Sequence, residues 1–96
     1  MDRATFEAEL LREDYDVREL HMPPDQTREP HTHEFDAKLF ILDGVFSLVR
    51  DGVTETFRPG QICSVPAGTL HQEKTGAEGA HYLAGRRMPA QSTVGG

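Results

Sequence analysis

Ninety-six residues make one domain and leave no room for two. Ten basic against sixteen acidic residues give a net charge of −6, and two lysines with eight scattered arginines supply no basic stripe, which argues against nucleic acid as a partner. No apolar run approaches the roughly 20 residues of a membrane span, no basic-then-apolar leader opens the chain, and the single cysteine, Cys63, has no partner within it, so the expectation is a cytoplasmic protein with no membrane partner.

The predicted elements begin with a helix over residues 4–14, where Thr5 can cap and Phe6, Leu10 and Leu11 fall at helical spacing. Residues 16–22 form a first strand, stopped by Pro23-Pro24. The polar, proline-flanked stretch 23–30 is a loop. Strands follow at 38–42, ended by Asp43-Gly44, and at 45–50. Asp51-Gly52 is a two-residue hairpin signal, and 53–57 returns from it. Strands at 62–65, 70–74 and 80–85 complete the set, the last two separated by a glycine-rich loop at 76–79. Turn signals this closely spaced indicate an all-β sandwich or barrel over residues 16–87, and the patternless stretch 88–96 is a flexible tail. Without tryptophan, a chain of this size builds a modest core and needs a closed β-architecture, a bound metal or a partner subunit to support it.

Five histidines are many for this length. His31 and His33 sit two apart, and in extended chain residues i and i+2 share a face, so the pair is a natural start for a metal site. His71 follows the Pro66-Ala67-Gly68 turn, which sets where the next strand begins and so where His71 points. By itself an HxH is more often accidental than a ligand pair; the setting of His71 reverses that weighting.

These residues resemble the cupin family. Its second motif, G-x5-P-x-G-x2-H-x3-N, is matched by Gly60, Pro66, Gly68 and His71, with Thr75 at the asparagine. Its first motif, G-x5-H-x-H-x(3,4)-E-x6-G, is matched by His31, His33 and Gly44, with Asp25 at the leading glycine and Ala37 at the glutamate. The resemblance covers about residues 17–86. It implies a double-stranded β-helix, or jelly-roll barrel, preceded by the short N-terminal helix. It also implies a divalent metal cofactor (zinc, iron, manganese, nickel or copper) on His31, His33 and His71. With alanine in the glutamate position, the centre is expected to be three imidazoles with open positions, leaving the ion its full double charge. Asp36 is the nearest carboxylate; strand alternation points it away from the face of residue 37, so it replaces the glutamate only through a loop or bulge that breaks the alternation.

Other residues carry two readings each. Glu73 shares a face with His71 and is either a general base or acceptor beside the metal, or a solvated strand-end charge. His81 is either a catalytic, pocket-lining residue or a solvent-facing one. His21 reads as a structural or surface histidine, Cys63 as a buried inert thiol, and Phe35, Phe40, Phe46 and Leu48 as packing residues. Arg86-Arg87 is either an anion-binding pair or a solvated one.

The function that follows is a metal-dependent dioxygenase or isomerase acting on a small anionic or dicarbonyl compound; the alternative is a metal- or ligand-binding sensor module without turnover. A metal-free isomerase using His71 as base is weaker, because a diphosphate substrate needs a basic groove. The expected partners are a small-molecule ligand and a second copy of the chain. A thin-walled barrel with open strand edges can pair or pack through residues 16–22. Sedimentation at micromolar concentration is expected to show a homodimer, and a monomer there overturns that expectation.

Overall fold

The computed structural model describes residues 1–89, so the expected tail lies, from residue 90 onward, outside the described residues. Helix α1 spans Arg3–Arg12. It starts earlier than expected because Asp2, not Thr5, is the cap: the Asp2 carboxylate accepts the Thr5 amide at 2.8 Å. It stops short of residue 14 because Asp14 turns left-handed, at φ 64°, and the Tyr15 amide reaches back to the Leu10 carbonyl at 2.9 Å.

Six strands follow among the described residues: β1 Asp16–Met22, β2 Thr27–His31, β3 Asp36–Arg50, β4 Val53–Phe57, β5 Ile62–Val65 and β6 His71–Arg87. All pairings are antiparallel. The Asp51-Gly52 turn has positive φ at both residues, 50° and 74°, as a tight hairpin between β3 and β4 requires.

Three elements differ from the sequence expectation. The stretch read as a loop at 23–30 contains strand β2, which hydrogen-bonds to β6. Its sequence, TREPH, has no apolar alternation and four of its five residues are exposed, so it is an edge strand held by its neighbour. The expected strands 38–42 and 45–50 are one strand, β3, and those at 70–74 and 80–85 are one strand, β6.

Both long strands bend, and the bend builds the barrel. The first part of β3 pairs with β5 and with the last part of β6, which also pairs with β1. The second part of β3 pairs with β4 and with the first part of β6, which also pairs with β2. Two four-stranded layers therefore share β3 and β6, giving an all-β jelly roll with one short helix. At the bend the register slips. Buried positions on β3 change from Leu39 and Ile41 to Phe46 and Leu48; on β6 they change from His71 and Glu73 to Ala80, Tyr82 and Ala84. Such a slip exchanges the faces of a strand. Here it keeps both halves aimed at one interior as the strand passes between layers.

That interior is filled by Leu39, Ile41, Phe46, Leu48, Cys63, Val65 and Tyr82. Burial pushes the Cys63 thiol up to about 12, so it stays protonated and inert at neutral pH. The odd residues at the start of β3 and the even ones at the end of β6 face this core; their alternates, Phe40 and Leu83, face outward and bury Phe6, Leu10 and Tyr15. Helix α1 thus covers the outer face of one layer and leaves the interior to the site.

The bend depends on glycine at two touching points. Gly44 has φ 78°, and a Cβ there would lie 2.1 Å from the Gly79 carbonyl oxygen. Gly79 has φ 70°, and a Cβ there would lie 2.5 Å from the Met22 carbonyl oxygen. Gly44→Ala combines a left-handed backbone with a backbone clash and is expected to lower stability by about 2 kcal/mol or more, read as a drop in the urea midpoint. An unchanged midpoint would show that the close approach of β3 and β6 is not required.

Candidate metal centre

β2 ends at His31 and β6 begins at His71, and the two residues are register partners. A short loop from residue 32 to residue 35 carries His33 back over them. The ring centroids of His31, His33 and His71 lie 4.5–5.2 Å apart. Glu73, two residues along β6 and on the same face as His71, completes the group. Its Oε2 is 3.0 Å from His71 Nε2 and 3.7 Å from His31 Nε2. One ligand atom from each of the four residues lies within 4.8 Å of every other.

Local hydrogen bonds hold this arrangement. The turn after β5 is clasped to the histidine loop at two points: Gly68 donates its amide to the His33 carbonyl at 2.9 Å, and Ala67 donates to the Asp36 carboxylate at 2.8 Å. Gly68 needs its φ of 80° to make that turn. Asp36 is therefore a clasp for the turn. Thr75, in the position of the motif asparagine, stitches the 23–26 segment to β6: its hydroxyl donates to the Pro23 carbonyl at 2.6 Å and accepts from the Gln26 amide at 3.0 Å.

The rings are also oriented. His71 Nδ1 lies 2.9 Å from the Thr69 carbonyl and His31 Nδ1 lies 2.7 Å from the Glu29 carbonyl. A carbonyl only accepts, so each Nδ1 carries a proton, and each Nε2 is left to take a second proton or a metal ion. Both Nε2 atoms face the Glu73 carboxylate, which offers only lone pairs. A carboxylate this close to two imidazole nitrogens, on residues that are buried or half-buried, is satisfied by a cation between them, a proton or a metal ion. The donor set fits a divalent ion, with the backbone carbonyls in the orienting role usual around metal-bound histidine. Burial, then the imidazoles of His31 and His71, hold the pKa of His33 below its ordinary value, which keeps it in the neutral form a metal needs.

The three expected histidines thus have a carboxylate beside them. Ala37 does line the cavity, but Glu73 enters from β6 and brings a carboxylate to the three histidines. Arg28, which sequence reading missed, donates to Glu73 Oε1 at 3.2 Å. It lay in the segment taken for a loop, where only its register with Glu73 could have revealed it. Tyr82 also lines the cavity, and burial raises its pKa, so the phenol remains a donor.

His81 does not reach this site. The slip in β6 places it on the outer face beside His21, with ring centroids 4.1 Å apart, so it is no candidate for catalysis at the barrel centre. The Arg86-Arg87 pair divides between faces. Arg86 lines the cavity with its guanidinium 4.9 Å from the Phe35 ring centre, and Phe35 in turn stacks on His33 at 4.6 Å. Arg87 packs over Tyr15 and donates to the Glu13 carbonyl at 2.8 Å, tying β6 to the end of α1.

With that geometry in place, comparison with known families is decisive. The cupin domain family matches residues 18–84, most of the chain. The chain belongs to the cupin family.

Solved structures share the fold. A Rhizobium leguminosarum protein of unknown function is similar at 25% identity and TM-score 0.73, over 78% of this chain and 71% of that one. A cupin 2 conserved barrel domain protein from Salinispora arenicola is similar at 22% identity and TM-score 0.65, over 75% and 61%. The polyketide cyclase RemF from Streptomyces resistomycificus is similar at 26% identity and TM-score 0.64, over 82% and 63%. This cupin therefore spans less than two thirds of the length of the latter two. No curated protein matches it. No helix among the described residues is long and apolar enough to cross a membrane.

The hydrogen bonds of this cupin make a spectroscopic prediction. Long-range 1H–15N correlation spectra are expected to show a proton on Nδ1 of both His31 and His71. A bare Nδ1 on either ring would show that the backbone carbonyls do not orient the two Nε2 atoms toward Glu73.

Proposed function

We propose that His31, His33 and His71, joined by Glu73, hold one divalent metal ion, and that this cupin uses it to act on a small anionic or dicarbonyl compound. The observation that carries the reading is the convergence of two oriented Nε2 atoms on a carboxylate inside the barrel, with His33 beside them. With Glu73 as a ligand, a divalent ion keeps a single net positive charge. When bound, such an ion supplies Lewis acidity to an oxygen ligand.

The protein groups around it then have separate tasks. Arg86, held over Phe35 at the cavity, offers a cation to an anionic substrate. Tyr82 offers a phenolic proton to a carbonyl or enolate oxygen. Arg28 holds the second oxygen of Glu73, which fixes the carboxylate plane. The cavity measures about 60 Å³, well below the size that encloses a whole drug-like ligand, so a substrate inserts only its polar head. The likeness to a polyketide cyclase supports carbonyl chemistry of the isomerase type over the dioxygenase alternative. The same small cavity favours a second reading, a sensor that binds a ligand head without turnover.

Chelator-stripped protein is expected to take up one equivalent of Zn2+, Fe2+, Mn2+ or Ni2+ that His71→Ala does not bind. Metal at about 100 times Kd stabilises by about 2.7 kcal/mol. For a domain of this size that raises Tm by roughly 10–20 °C. Loaded protein in D2O is then expected to exchange the α-protons of a 1,3-dicarbonyl faster than free metal does. Binding without exchange supports the sensor, consumption of dioxygen supports the dioxygenase, and wild type and His71→Ala binding equal metal overturns the site.

A further inference from the structure

The barrel centre uses three of the five histidines. The other two meet on the opposite face of the β1–β6 pair. His21 and His81 are direct register partners across these strands, and Glu19 precedes His21 by two residues on the same face. The two rings lie parallel, 7° apart in plane, with centroids at 4.1 Å. His81 Nε2 is within hydrogen-bond distance of Glu19 Oε2, and Arg3 of α1 pairs with the other oxygen, Oε1. One ligand atom from each of Glu19, His21 and His81 lies within 4.8 Å of the others.

We propose that Glu19, His21 and His81 form a second divalent-metal site, separate from the barrel centre. The donor set is two imidazoles and one carboxylate, which suits Zn2+, Ni2+ or Cu2+ with water completing the shell. The backbone of all three residues is held in the β1–β6 ladder, so only side-chain torsions need adjust, and the broad χ2 well of histidine lets His21 turn its nitrogen toward the point shared by His81 and Glu19. Because His81 and Arg3 approach different oxygens of Glu19, an ion on the His81 side leaves the Arg3 pair intact.

The surroundings favour a dication. A cavity of about 260 Å³ adjoins the histidines and is lined by both of them together with Asp43 and Glu78. Asp43 is the register partner of His81 on β3, and its Oδ1 accepts the Gly44 amide, so it is held near the site. Asp43 and Glu78 line the cavity with the two histidines, and Glu19 beside them is paired with one guanidinium, Arg3. An ion here joins the edge strand β1 to the inner strand β6 beside the start of α1, whereas the barrel-centre ion joins β2 to β6.

The test is a Zn2+ count on chelator-stripped full-length chain, by calorimetry and by element analysis after buffer exchange. The His21→Ala/His81→Ala double variant is expected to bind one equivalent fewer than wild type, and His71→Ala to retain the equivalent that the double variant loses. With Cu2+, His71→Ala is expected to show the hyperfine pattern of two nitrogen ligands. Matching melting curves in excess chelator verify that the double variant folds; should they differ, Glu19→Gln with His21→Gln replaces it and is expected to lose the same equivalent. Equal Zn2+ content in wild type and the folded double variant, or in wild type and the replacement, overturns the second site. The barrel-centre reading fails separately, if His71→Ala removes no metal.

Discussion

The arrangement depends on one constraint: β3 and β6 must each cross from one layer of the barrel to the other without turning their side chains out of it. A strand alternates faces with a strict period of two, so a bend without a slip would point one half outward. Gly44 and Gly79 permit the slip where the two strands touch, because each takes a left-handed φ and neither has a Cβ to strike the facing carbonyl. On β6 this single device has two results. It brings His71 and Glu73 into the interior that Tyr82 and Ala84 line, and it turns His81 out to meet His21.

Around that bend the site is assembled by backbone contacts. The clasp of Gly68 on the His33 carbonyl and of Ala67 on Asp36 joins the two motif-bearing segments, which are far apart in the chain. The Thr69 and Glu29 carbonyls then orient the rings of His71 and His31. The result is a donor cluster whose geometry is set by the ladder and the turn, with the Arg28–Glu73 pair at its side. Such preorganisation is what a bound ion and a small polar ligand head both use, because neither then has to order the protein.

The carboxylate shows how far a motif can be followed. Read position by position, the first cupin motif puts glutamate at Ala37, and its absence there implies a centre of imidazoles alone. Space is indifferent to chain position. An inward residue two places past His71 lines the same cavity as Ala37 on β3, because β3 and β6 are paired and both face the core. Glu73 was legible as a residue sharing the face of His71; its distance to His31 was not.

From residue order alone came the all-β character, the helix before it, the hairpin at Asp51-Gly52 and the three histidines that the barrel brings together, because turn residues, period-two faces and motif spacing are local properties. Only the tertiary structure decided that 38–42 and 45–50 are one strand, that TREPH is a strand at all, that Asp36 clasps a turn, and that Glu73 and His81 lie on opposite faces. Each of those follows from register between distant segments, and register is set by how the whole barrel closes.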